Sequence, residues 1–216
     1  MGSFLDLIFP KVCYSCGRAG HYFCPQCVSS LIVNPVRFKS CHPYNGSLSL
    51  FPYNSAVKNI LVDLKYNFVT DTVNDITAMM HSHLKVNFPN LMEYWLSEKF
   101  VLTSVSLSHY RNNWRGFNQS DLICSQFAQL TGLKYHPDIL MRTQNNLPQV
   151  SLPHKIDRIK NAQNIFAVCD VSVIPSKIII FDDVCTTMST LKSAAKPLVE
   201  SGRVSELWAL SLAGFF

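Results

Sequence analysis

Two stretches of this chain carry residue types that could do chemistry. In IIIFDDVCTTMST (residues 178–190), Asp182 and Asp183 stand side by side at the end of an apolar, β-branched run. A turn rich in hydroxyls follows them: Thr186, Thr187, Ser189 and Thr190 around Met188. Paired carboxylates can accept hydrogen bonds from vicinal sugar hydroxyls, or face positive charge developing on a sugar ring. A turn that opens a helix turns its backbone N–H groups and dipole toward the same place, which suits an anion. Such ligand sites occur at the carboxyl edge of parallel sheets. Taken alone, the stretch is also compatible with a strand followed by a polar turn and a Ser/Thr helix cap.

The second stretch holds two C-x-x-C pairs, Cys13/Cys16 and Cys24/Cys27, with seven residues between the pairs. Each pair can point two thiolates at one ion, and two pairs complete a closed tetrahedral shell, the arrangement of a structural zinc. Redox dithiols or a chance arrangement are the other readings. Cys41 followed by His42 resembles half of another site. Five of the eight cysteines fall in the first 41 residues, and in a reducing compartment such clustering points to metal rather than disulfides.

Around these stretches the sequence predicts elements able to position them. Residues 1–45 are cysteine-rich and loop-like, and form the first expected unit. Residues 46–216 alternate strands and helices, which argues for an α/β domain with a mostly parallel sheet. Strands are expected at 47–54, 99–107, 177–181 and 206–214. Helices are expected at 55–67, 70–86 (capped by Thr70 or Asp71), 118–132 (closed by Gly132) and 190–202. Pro197 conflicts with the last helix and predicts a kink or a fresh start there.

With 48% apolar and 15% charged residues in 216, the chain can bury a sizeable core, and an ordered domain is expected. Its formal charge of +5 fits an anionic ligand or nucleic acid without requiring either. No run is long enough for a transmembrane helix. The opening residues are too short and too acidic for a signal peptide, and Asp6 replaces the hydroxyl of a myristoylation signal. A cytoplasmic protein is expected, with the inner face of the membrane as a possible station. Arg111, Arg115, Arg142, Arg158 and Lys160, with Tyr110, Trp114 and Phe117 among them, admit three roles: core and salt bridges, with Trp114 and Phe117 buried; phosphate contacts; or a single-stranded nucleic-acid track. His81 and His83 read as surface or packing residues.

The motifs also carry a resemblance. IIIFDDVCTTMST resembles the ribose-phosphate loop of type I phosphoribosyltransferases, which use phosphoribosyl pyrophosphate (PRPP). VSLSHYRNNWRGFNQS (residues 105–120) resembles the V-P-L…RGFNQ segment of the ComF family of competence proteins. VKNILVDLKYN, LMRTQNNLPQVSL, DRIKNAQNIFAV and the cysteine pairs follow the family pattern too, so the resemblance spans nearly the whole chain.

It implies a type I phosphoribosyltransferase-like parallel sheet flanked by helices, with a small N-terminal zinc-binding segment. It further implies that Asp182 and Asp183 hold ribose hydroxyls. Thr186, Thr187, Met188, Ser189 and Thr190 would hold the 5-phosphate, Arg111 and Arg115 would meet the pyrophosphate, and Mg²⁺ would bridge pyrophosphate and ribose. The implied function is the handling of incoming single-stranded DNA with uptake or helicase machinery. Active phosphoribosyl transfer, or a zinc-stabilised adaptor, are the alternatives. Two departures stand out. Met188 replaces the glycine that would supply positive φ or a close backbone approach, and Val105-Ser106-Leu107 replaces V-P-L. Weakened or lost PRPP binding is the expectation attached to Met188.

Overall fold

The structure, a computed structural model, describes residues 10–32, 37–107, 114–143 and 165–214. Arg111, Gln149, Arg158, Lys160, Asn161 and the Cys41 side chain lie outside what it describes.

The centre is β7 (Lys177–Cys185), paired in parallel with β3 (Val101–Ser104) on one side and β8 (Glu206–Gly214) on the other. β4 (Lys134–Tyr135) extends the β3 side in parallel, and β2 (Tyr44–Pro52) extends the β8 side in parallel. These five strands make a parallel sheet. β1 (Arg37–Cys41) is added antiparallel to β2 at the edge. The resulting hairpin straddles the 45/46 boundary expected from composition.

Side-chain alternation explains why β7 can sit in the middle. Ile179 and Phe181 enter one apolar cluster while Ile178 and Ile180 enter the other, and all four are fully buried. A strand covered on both faces must be apolar at every position, which is what IIIF supplies.

One face is covered by α2 (Ser55–Tyr66), α3 (Thr72–Asn87), α4 (Pro89–Ser97) and α5 (Gln119–Thr131), and α1 (Pro25–Ile32) packs on α3. The other is covered by α6 (Ser189–Glu200) and by a two-stranded ribbon, β5 (Leu140–Arg142) with β6 (Phe166–Val168). Gly46 of β2 leaves room for a neighbour: a Cβ there would lie 2.4 Å from the Trp208 ring. Gly132 closes α5 in the left-handed conformation at φ +83°.

Several expectations are corrected. β7 runs on to Cys185, so both acids lie within the strand. β3 is four residues long rather than nine, and α4 was not anticipated. α3 begins without a side-chain cap from Asp71. Pro197 sits inside an unbroken α6, and the Ser201 N–H still reaches the Pro197 carbonyl at 3.2 Å. Pro197 and Ser193 are half-buried, so water can serve the carbonyl that the proline leaves without a donor.

Candidate functional site

At the carboxyl ends of β3 and β7 a cleft of about 240 Å³ opens, with Asp182 and Asp183 in its floor and Lys65, Arg115, Gln119 and Arg142 in its walls. Asp183 is 5% exposed. Its Oδ2 receives Lys65 Nζ at 2.6 Å and Gln119 Nε2 at 2.7 Å. Gln119 is held in turn by Arg115, whose Nη1 donates to its Oε1. The Arg115 guanidinium lies 5.4 Å from the Tyr66 ring centroid.

Each link comes from a different element: Lys65 and Tyr66 end α2, Gln119 begins α5, and Asp183 belongs to β7. Asn118 sets the start of α5. Its Oδ1 accepts from the Ser120 N–H at 3.1 Å, and its Nδ2 donates to the Val105 carbonyl at 3.2 Å. That second bond ties the helix to the segment leaving β3.

Asp182 is in a different state. It is half-buried, and its Oδ1 accepts from the Asp183 N–H at 3.0 Å. Burial and the neighbouring Asp183 carboxylate push its carboxyl up to about 7, against that hydrogen bond and the Lys65 and Arg142 cations. Of the two adjacent acids, one is fixed in an ion pair and the other is poised near neutrality.

The turn beyond them has the shape a glycine would supply. Met188 takes φ 62°, ψ 3° at the N-cap of α6, and its carbonyl accepts from the Lys192 N–H at 2.8 Å. Its side chain packs against the cluster beneath α6. Met188 thus adopts the positive φ that its side chain was expected to hamper. An L-residue there costs about 1–2 kcal/mol, and the surrounding packing holds it. Thr186, Thr187 and Ser189 are exposed and Thr190 is half-buried, and Thr187 Oγ1 donates to Ser189 Oγ at 3.0 Å. The space between turn and Asp182 is only about 10 Å³.

The four cysteine sulfurs converge, all within 4.8 Å of one another, with Cys16 and Cys24 Sγ 3.6 Å apart. Zn–S bonds of about 2.3 Å in a tetrahedron put sulfurs about 3.8 Å apart, so the donor set fits one tetrahedral ion. Burial pushes the Cys13 thiol up, but backbone N–H donation from Cys24, Cys16 and Ser15 outweighs it and brings it to about 6. Donation from the Cys27 N–H lowers Cys24 as well. Cys27, despite donation from the Ser15 hydroxyl, is pushed up to about 12 by burial and the other three sulfurs; a cation among the four would supply the charge that thiolate ligation requires.

Lys65 and Gln119 were not assigned roles from sequence, although both lie inside the motif stretches above; Arg142, one of the basic residues open to three roles, lines the cleft. Of the roles open to Trp114, the structure removes the buried one: it is 55% exposed. His83 is fully buried against Phe51, at 4.9 Å between ring centroids, as a packing residue should be.

The fold and site define a class: a parallel α/β domain with a four-cysteine N-terminal segment and an Asp-Asp cleft at its carboxyl edge. No family model matches the chain. It is 33% identical to DNA utilization protein YhgH of Salmonella typhimurium over 92% of its own length and 89% of that protein. It is 28% identical to Competence protein ComFC of Bacillus subtilis, over 94% of its length and 83% of that protein. Competence protein F of Haemophilus influenzae matches at 33% identity over about half of each chain (52% and 50%). Among solved structures, an adenine phosphoribosyltransferase overlaps 86% of this chain and 89% of its own, with a TM-score of 0.39 and 16% identity. The allosteric regulatory enzyme of purine biosynthesis overlaps 57% of this chain and 24% of its own, with a TM-score of 0.36 and 18% identity. The chain belongs to the ComF family.

Among the described residues no helix is long and apolar enough to cross a membrane.

Proposed function

We propose that the chain works in DNA uptake on the cytoplasmic side, handling single-stranded DNA beside the uptake or helicase machinery and binding PRPP with Mg²⁺ in the cleft. In this reading the four cysteines hold a structural Zn²⁺. The observation that carries it is the juxtaposition of Asp182 and Asp183 with the turn at residues 186–190, walled by Lys65, Arg115 and Arg142. Asp182 and Asp183 would accept from the ribose hydroxyls, the turn and the start of α6 would receive the 5-phosphate, and the cationic wall would face the pyrophosphate. Arg111 is proposed for the same task. The names of the relatives, competence and DNA utilization proteins, support the DNA side of the reading.

Calorimetric titration of PRPP with Mg²⁺ tests the cleft. The wild type should bind, because Met188 already holds the left-handed conformation. Met188→Gly should bind as tightly or more tightly, and Asp183→Ala should lose at least tenfold. Binding by the glycine variant alone would mark a retired site, and binding by neither would end the PRPP reading. On the DNA side, affinity for single-stranded DNA should fall steeply with salt. A second reading, active phosphoribosyl transfer, is favoured by the Asp182 carboxyl near 7, a value suited to proton transfer at neutral pH. PRPP-dependent pyrophosphate release, abolished in Asp182→Ala, is its signature.

A further inference from the structure

Beside the cleft, three large aromatic side chains stand in the open together. Tyr66 is 54% exposed, Phe68 48% and Trp114 55%. Isolated exposed rings are ordinary, but a contiguous group on a protein surface marks something that binds there. The Trp114 ring lies 6.1 Å from both Tyr66 and Phe68, centroid to centroid, in tilted contacts. Behind them Phe117, partly buried against the main core, meets the edge of Phe68 at 6.1 Å and so anchors the group.

The backbone is bent to present one of these rings. Phe68 takes φ 57°, a conformation that L-residues avoid and glycine adopts readily. It follows the C-terminus of α2, where the Asn67 and Val69 N–H groups both converge on the Asp63 carbonyl, each at 3.1 Å. A glycine would make this turn without strain. The phenylalanine contributes nothing to the turn that glycine lacks, except its ring.

The aromatic group is continuous with the cationic cleft. Tyr66 lines the cleft and follows Lys65 directly, and the Arg115 guanidinium sits over the Tyr66 ring. Rings bordered by arginine and lysine match a ligand that alternates flat bases with phosphates, whereas an apolar protein surface would gain nothing from the cations. The chain's formal charge of +5 has the sign that such a polyanion needs.

We infer that Tyr66, Phe68 and Trp114 form a stacking platform for unpaired bases of single-stranded nucleic acid, whose phosphates run along the mouth of the cleft. The inference rests on the nucleic-acid part of the proposed function and names the surface that performs it. Every base has a π-face, so the platform reads no sequence, as suits a protein that must accept any incoming strand.

The molecule carries its own probe. Of its three tryptophans, Trp95 is fully buried, Trp208 is 8% exposed, and Trp114 alone is open to solvent. Titration with an oligothymidylate should quench tryptophan emission, with the same midpoint as fluorescence anisotropy of a labelled strand. Trp114→Ala and Phe68→Ala should each weaken binding by about ten- to a hundredfold. Trp114→Phe should recover most of the affinity while losing the quench. An abasic strand of equal length should bind the wild type as weakly as the natural strand binds Trp114→Ala.

If the wild type binds the strand but the alanine variants and the abasic strand bind equally well, the platform is refuted and the DNA reading survives. If the wild type binds no strand at all, both fall. Equal quenching by free nucleoside would assign the rings to a small acceptor, and concentration-dependent self-association abolished by Trp114→Ala, with strand affinity unchanged, would assign them to a protein contact. Either outcome overturns the inference.

Discussion

His83 and Asp182 titrate within the same pH range and act on stability in opposite directions. His83 is fully buried, and neither ring nitrogen has a hydrogen-bond partner among the described residues. Desolvation pushes its imidazole from 6.5 down to about 4. Between those values the unfolded chain binds a proton that the folded one refuses. Stability due to this residue is therefore complete above 6.5 and is lost as pH falls through about 4, on the order of 3 kcal/mol in all. Asp182, raised from 3.8 to about 7, does the reverse: the folded chain keeps a proton that the unfolded one releases, so stability falls as pH rises through that range. The two slopes partly cancel in the ligand-free wild type. Urea midpoints across the window should show His83→Leu losing stability as pH rises, and Asp182→Asn gaining it. Identical slopes in the two variants would show that neither group titrates as its surroundings demand.

At the scale of elements, the start of α5 is the joint on which the cleft depends. Asn118 caps the helix with its carbonyl oxygen and clamps the Val105 carbonyl with its amide, while the next residue, Gln119, reaches Asp183. Asn118→Ala should cost about 1–2 kcal/mol. Asn118→Ser, which keeps a capping oxygen but loses the clamp, should recover part of it, as read from denaturation midpoints at constant m. An alanine variant as stable as the wild type would remove the joint from the argument. This joint also shows what sequence could and could not reveal. β7, β8 and the end of α5 were legible because apolar runs and a glycine stop are local signals. The carboxylate pair at the sheet edge was legible for the same reason. The Lys65–Asp183 and Gln119–Asp183 contacts were not, because they join α2, α5 and β7 across long stretches of chain and no periodicity encodes them. Trp114 stayed open between core and surface, because an aromatic suits either, and only the tertiary position of the end of α2 shows it resting on other exposed rings. α4 escaped because PNLMEYWLS is too short for a helical period to stand out, although Pro89 at its first turn was a usable signal.

Over the whole molecule, the cysteine segment is attached rather than integrated, and this decides what loss of metal should do. Residues 10–32 contribute few buried apolar side chains, chiefly Phe23 and Leu31. They are held to the α2–α3 region by polar contacts with three acids: the Tyr14 hydroxyl on Asp63, Lys11 with Asp71, and the Tyr22 and Phe23 N–H groups on Asp75 Oδ2 at 2.7 and 3.2 Å. Exposed or part-buried contacts of this kind are worth about 1 kcal/mol each or less, too little to order a segment with so small a core. A structural Zn²⁺ supplies roughly 10–16 kcal/mol in peptides folded by such ions. The sheet needs no such help, since β7 and β8 are buried on both faces by side chains of the main domain. Chelation, or Cys24→Ser, should therefore raise amide exchange sharply in residues 10–32 and moderately along α3, while β7 and β8 keep their protection. A thiol reagent should release one ion as the four thiols of Cys13, Cys16, Cys24 and Cys27 are modified, whereas the exposed Cys169 should react without releasing any. Unchanged exchange in the segment after metal removal would mean that the cysteines are not a structural site. Collapse of protection in β7 would mean that the ion supports the whole domain, and the three acids with it.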